Sequence, residues 1–255
     1  MDQKINNFNV VLLVAGSGKR ISNFSKLPKC LLKVGQKTIL ERNLSIWNSL
    51  GLKNIFIVLS YKSKSIEKKL KKAKKNLKIR KIYKKNYSNY GNSFSLFLAL
   101  KKIHGPVVIF DGDLVYDKKI LLSFLYKSPP NSILTGPGKP SDIECAKVLI
   151  DKDNSIKKIV DKESIKNKKY IGLKFLGEAL GIIKLSNLHT QKLRYSLKNF
   201  LSVKENLELN WEKALNHFLL RNKLNYYFTK SKKWIEIDLK KDFKKALKII
   251  KKYNI

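Results

Sequence analysis

Residues 10–14 read Val-Val-Leu-Leu-Val, and the run ends in Ala15-Gly16-Ser17-Gly18-Lys19-Arg20. A short, wholly apolar run suits a strand buried on both faces, which is the position of strands in a parallel sheet. Parallel strands need a crossover, and one follows directly. Thr38 opens a helical pattern with Glu41 three residues on, a capping box. Ile39, Leu40, Leu44, Trp47 and Leu50 recur at helical spacing, Gly51 stops the helix, and residues 55–59 read as the next strand. The order of strand, glycine loop, helix and strand predicts an α/β fold. Its sheet is Rossmann-like and mostly parallel, with helices on both faces and right-handed crossovers.

The alternation continues, with helices expected at 64–75, 93–103 and 117–126 and strands at 79–83 and 106–110. From about Ile133 the texture changes to short strand-like segments at 146–150, 156–160 and 179–184. Helices near 187–199 and 211–222, a strand at 234–237 and a lysine-rich terminal helix complete the pattern. No repeat and no linker interrupts it, so residues 1–255 are read as one domain.

A chain of 255 residues with 43% hydrophobic content can bury a sizeable core and is not a disordered composition. No apolar run approaches the roughly 20 residues of a membrane span. The polar start, MDQKINNFN, leads straight into the first strand, so no signal peptide is expected. Cys30 and Cys145 make neither a disulfide framework nor a metal site, which fits a reduced, cytoplasmic protein. The net charge of +36 invites a nucleic-acid or membrane-surface reading, but only five of the 55 basic residues are arginine, the better fork for phosphate and base edges. The lysines crowd residues 62–85 and 240–252 at helix-like spacing, and their company of Asn and Ile fits AT-rich coding. A basic nucleic-acid-binding protein without catalysis is therefore kept only as a rival.

A glycine loop after the first strand of an α/β sheet presents backbone N–H groups to a phosphate. The P-loop pattern fails here, since Arg20 stands where Ser or Thr belongs, and the dinucleotide fingerprint fails at Ile21. What remains is a Gly-x-Gly bracketed by Lys19, Arg20 and Lys29, three cations suited to a triphosphate, with Pro28 restricting the backbone before Lys29. Farther on, Asp111 and Asp113 follow a buried strand, at the carboxyl end where such sheets keep ligands. Mg²⁺ prefers one or two carboxylates together with phosphate oxygens.

The form AGSGKR…LPK closely resembles the nucleotidyltransferase family that makes nucleotide sugars and CDP-alcohols. The resemblance implies that Ala15, Gly16, Ser17, Gly18 and Lys19 lie against the nucleotide, with Arg20 and Lys29 acting on its phosphates. It further implies a Mg²⁺ site on Asp113 and, through the Trp-x-Glu-x-Asp ending of residues 234–238, on Asp238, with Glu236 close by and Asp111 supporting at the nucleotide. Val14 departs from the family's usual Ala, as does the lysine load.

Residues 87–100, YSNYGNSFSLFLAL, resemble a segment of the phosphocholine and 2-aminoethylphosphonate cytidylyltransferases, which implies nucleotide contacts from Asn89, Asn92 and Ser93. Helix capping by Asn92 or Ser93 explains the same residues. FLGEALGIIKLS and LNWEKALNHFL resemble that subgroup more loosely and point to Glu178, Trp211 and Glu212, with Trp234, on the acceptor. Trp211 as core and Glu212 as a solvated residue is the competing reading. The domain would then have a nucleotide-binding half at about 1–135 and an acceptor-binding half at about 136–255. His104, His189 and His217 share no motif. The expectation is a Mg²⁺-dependent cytidylyltransferase that moves CMP from CTP to a small phosphate or phosphonate and releases pyrophosphate. A sugar-1-phosphate or polyol-phosphate nucleotidyltransferase is the nearest alternative. A glycosyltransferase reading of Asp111-Gly112-Asp113 is opposed by the AGSGKR…PK loop. A homodimer is left open.

Overall fold

The computed structural model describes residues 5–16, 25–71, 76–85, 90–161, 163–165 and 170–255. In chain order, β1 (Asn9–Leu13) is followed by a hairpin of two short strands, β2 (Lys33–Val34) and β3 (Lys37–Thr38), and by α1 (Ile39–Ser49). Next come β4 (Asn54–Leu59), α2 (Ser63–Leu70), β5 (Lys78–Tyr83), α3 (Asn92–Leu100) and β6 (Val107–Asp111). β7 (Leu114–Tyr116), α4 (Lys118–Lys127), β8 (Ser132–Gly136), β9 (Lys147–Ile150) and β10 (Ile156–Val160) lead into the long β11 (Lys174–Leu185). The chain ends with α5 (Asn187–Phe200), α6 (Trp211–Leu219), β12 (Asn225–Phe228), β13 (Trp234–Glu236) and α7 (Lys240–Tyr253).

The centre of the sheet is the parallel set β5-β4-β1-β6. β11 joins β6 antiparallel and carries β9 and β8 along its length, with β10 and β12 outside them. Side-chain alternation along β1 divides the core. Val10, Leu12 and Val14 pack with Trp47, Ile57 and Phe124 on one face, and Val11, Leu13 and Ala15 pack with Leu96, Leu197 and Phe218 on the other. Helices therefore cover both faces, as the apolar runs predict.

The register aligns Leu13 with Asp111 and with Val58, so the carboxyl ends of β1, β4 and β6 form one rim. The α1 capping box is present: Thr38 accepts from the Glu41 amide and the Glu41 carboxylate accepts from the Thr38 amide. Three details differ from expectation. Asp111 is the last residue of β6 rather than beyond it. The segment 15–37 contains a 3-10 turn and a hairpin strand in place of an uninterrupted loop. β11 runs twelve residues, bulged at Phe175/Gly177 and Ala179/Ile183, and those bulges hide its alternation from the sequence. Residues 72–75 of the expected basic helix lie outside the described residues. Among the described residues no helix is long and apolar enough to cross a membrane.

Candidate active site

A small apolar cluster away from the main core brings the charged groups together. Leu32, Val34, Ile39, Val115, Ile237 and Ala246 are buried against one another. Each site residue leans on this cluster through a chain neighbour. Lys29 opens the 3-10 turn that runs into Leu32, Asp113 precedes β7 with its Val115, and Ile237 separates Glu236 from Asp238. β13 pairs antiparallel with β7, and the Ile237 amide donates to the Asp113 carbonyl at 3.1 Å. Alternation about the buried Ile237 turns Glu236 and Asp238 to the side where Asp113 lies.

Lys29 Nζ donates to Asp113 Oδ2 at 2.9 Å and to Asp238 Oδ1 at 2.5 Å. Burial works against its ammonium, but the two carboxylates outweigh burial and hold the Lys29 pKa above the ordinary lysine value. Asp113, Glu236 and Asp238 each place a carboxylate oxygen within 4.8 Å of the others. Burial, then Asp113 and Asp238, push the Glu236 carboxyl well above its usual range. Asp113 Oδ1 is buried with no hydrogen-bond partner. A crowded set of hard oxygen donors with one acceptor left over fits a divalent cation, and these three carboxylates could hold one.

Asp111 goes elsewhere. Its carboxylate packs against Gly181, where an added Cβ would lie 2.7 Å from Oδ2 and where φ is +63°. Burial, then Glu212 and Asp113, raise the Asp111 pKa, while the nearby Trp211 indole lowers it without meeting full hydrogen-bond geometry. Asp111 and Asp113, two residues apart, thus serve different neighbourhoods.

Both neighbourhoods open on one cavity of about 380 Å³ at the rim of the parallel strands. Its lining includes Val14, Ala15, Gly16, Pro28 and Lys29 on one side and Lys84, Tyr90, Gly91, Asn92 and Ser95 on another. The remaining wall is acidic. Asp111, Asp113, Glu144, Asp161, Glu212, Glu236 and Asp238 all line the cavity, seven of the chain's 19 acids in a protein of net charge +36.

The sequence-derived candidates distribute as follows. Ala15, Gly16, Lys29, Asn92, Asp111, Asp113, Glu212 and Asp238 line the cavity. Ser17, Gly18, Lys19, Arg20 and Asn89 lie outside the described residues. Ser93 is buried, its hydroxyl donating to the Leu209 carbonyl at 2.6 Å. Neither Asn92 nor Ser93 caps α3, whose N-cap is Gly91. Trp211 is 2% exposed in the core of α3, α5 and α6. Trp234 packs beside β7 with its indole against Gly136. Glu178 on β11 pairs with Lys147 of β9 and lies beside Gly138, off the cavity. Burial, then Asp142, pushes its carboxyl up to about 7. Lys84, Glu144, Asp161 and Asn210 line the cavity without having been foreseen. Asp161 follows β10 directly, the strand-end signal that exposed Asp111, whereas Lys84 is hidden in a lysine run.

Residues 9–128 match the nucleotidyl transferase family model. A bifunctional GlmU protein of Buchnera aphidicola is 45% identical over 62 residues, 24% of this chain and 13% of that protein. The chain spans 13% to 36% of the length of the curated relatives it matches. Among solved structures, a CTP:phosphocholine cytidylyltransferase from Streptococcus pneumoniae aligns with a TM-score of 0.72 at 17% identity, over 96% of this chain and 99% of that one. An inositol-1-phosphate CTP transferase from T. maritima aligns with a TM-score of 0.73 at 15% identity, over 98% of each chain. At such identities the likeness is one of fold. Residues 9–128 are thus similar to the nucleotidyl transferases, and along nearly its whole length the chain has the α/β fold of the nucleotide-diphospho-sugar transferases.

Proposed function

We propose that the protein transfers CMP from CTP to a small acceptor that carries a phosphate or phosphonate at one end and a primary amine at the other, with release of pyrophosphate. An acceptor oxygen attacks the α-phosphorus of CTP. A new P–O bond forms there as the bond to the bridging oxygen of pyrophosphate breaks. This chemistry needs no protein nucleophile; it needs alignment and charge neutralisation. Lys29 is the cation that the described residues place at the carboxylate end of the cavity, and it is held rigidly between Asp113 and Asp238. Arg20 and Lys19 belong to the same reading through the loop motif. Asp113, Glu236 and Asp238 would hold a divalent ion such as Mg²⁺, which supplies positive charge to phosphate oxygens when bound. Tyr90, stacked on Phe94 with centroids 4.4 Å apart, gives the cavity an aromatic face for a base.

The observation that carries the acceptor assignment is the acidic wall of Asp111, Glu144, Asp161 and Glu212. A sugar wants neutral donors and acceptors, whereas a wall of carboxylates attracts a cation. Tyr90 is the one aromatic side chain lining the cavity among the described residues, so a cage for a methylated ammonium is missing there and the primary amine of 2-aminoethylphosphonate fits better than phosphocholine. The CTP:phosphocholine cytidylyltransferase and the inositol-1-phosphate CTP transferase share this fold, and beside the phosphate one named acceptor carries an ammonium and the other a neutral polyol. The test is pyrophosphate release with each of the four NTPs against 2-aminoethylphosphonate, phosphocholine, glucose-1-phosphate and inositol-1-phosphate. CTP with the aminophosphonate should be the most active pair. No release from any pair would refute nucleotidyl transfer, and a preference for a sugar or polyol phosphate would refute the amine site alone.

A further inference from the structure

The turn before α3 is tied to the start of a different helix. Asn92 is the first residue of α3 yet caps nothing in it. Its Oδ1 accepts the Trp211 backbone N–H of α6 at 2.7 Å. That amide is one of the donors that a helix start leaves without an intrahelical partner. The residue in the N-cap position of α6, Asn210, makes no side-chain cap bond. Asn210 is engaged with the cavity wall: its Nδ2 donates to Asp161 Oδ2 at 3.1 Å.

Two more bonds run along the same seam. The Gly91 amide donates to the Leu207 carbonyl at 2.8 Å, and Ser93 Oγ donates to the Leu209 carbonyl at 2.6 Å. A Cβ on Gly91 would sit 2.1 Å from the Leu209 oxygen, so the two backbones meet as closely as glycine permits. From the other side Lys84 Nζ donates to the Tyr90 carbonyl at 2.8 Å and fixes the turn against β5.

We propose that Asn92 is a positioning residue for the acceptor. By capping α6 from the neighbouring helix it leaves Asn210 free to hold Asp161, and it fixes the helix start that presents Glu212 to the cavity. The turn on the nucleotide side thereby sets the acidic wall on the acceptor side. This inference builds on the nucleotidyl-transfer reading of the cavity, but its first test does not. Amide exchange needs no substrate: Asn92→Ala should speed exchange in residues 207–215 and leave α5 unchanged. Asn92→Asp keeps an acceptor oxygen in place, and its charge suits a helix N-terminus, so it should restore protection. Unchanged exchange in residues 207–215 of Asn92→Ala would overturn the cap. In turnover with CTP and 2-aminoethylphosphonate, Asn92→Ala should raise KM for the acceptor about tenfold and keep KM for CTP within about twofold, with Asn92→Asp returning the acceptor KM towards wild type. A rise confined to KM for CTP would make Asn92 a nucleotide contact and refute the positioning role. If the unaltered protein releases no pyrophosphate at all, the proposed function falls and the exchange comparison alone decides the cap.

Discussion

The acids of the cavity fall into two groups that the fold treats differently. Asp113 and Asp238 close on an ammonium, Lys29, with Glu236 beside them. Asp111 and Asp161 are instead met by neutral partners: a tryptophan indole and a glycine surface at Asp111, an asparagine amide at Asp161. The residue type is the same and the strand-end placement is the same, yet one group is built to balance charge with a cation of the chain. The other lines the cavity without such a cation, and burial raises the Asp111 pKa there. On the proposed function, the first group would serve phosphate chemistry and the second would recognise a positive substrate group.

The largest effects should come from the Lys29 end. Asp113→Asn and Asp238→Asn keep shape and remove charge, and each should lower kcat/KM for pyrophosphate release by about 100-fold or more, with Lys29→Ala comparable. Chelation of divalent ions should abolish turnover. Were Asp111→Asn to cost as much in kcat as Asp113→Asn, the division of the cavity would be wrong. A smaller and differently shaped loss belongs to the other group. Glu212→Gln and Asp161→Asn should raise KM for an amine-bearing acceptor by about 10- to 100-fold while kcat and KM for CTP change little, the size of one charge-assisted contact. Effects on CTP instead of the acceptor would exchange the two assignments.

Much of this architecture is legible locally and some of it is not, for physical reasons. The Thr38–Glu41 box and the buried runs at β1 and β4 depend on near neighbours, so the sequence shows them. β7 has three residues, too short for any period, and is a strand only because β13 pairs with it from more than a hundred residues away. That pairing is what delivers Glu236 and Asp238 to Asp113. Asn92 shows helix-start chemistry in the sequence, but nothing local says that the helix it caps is α6. Trp211 reads equally as a ligand contact or as core, and its burial places it in the core, with its indole turned to Asp111.

The smallest expected effect lies outside the cavity. The folded protein holds the Glu178 proton with a pKa of about 7 against an ordinary 4.5, so the folded state binds that proton more tightly than the unfolded chain. The stability from this group is complete below about pH 4.5 and is lost as pH rises through about 7. Glu178→Gln should remove that dependence, so that wild-type Tm falls relative to the variant by up to about 10 °C across this window. Activity with saturating substrates should be little altered, because Glu178 does not line the cavity. A large loss of turnover in a well-folded Glu178→Gln protein would extend the acidic wall beyond its present limits.

The most direct measurement of the central claim compares two acceptors that differ at one group. 2-Aminoethylphosphonate and 2-hydroxyethylphosphonate share the attacking phosphonate and the two-carbon arm, and only the first carries a cation. With CTP saturating, the acidic wall predicts a kcat/KM for the amine at least about 100-fold above that for the alcohol. The advantage should shrink to about tenfold or less in Glu212→Gln. Equal turnover of the two phosphonates by the unaltered protein would contradict it.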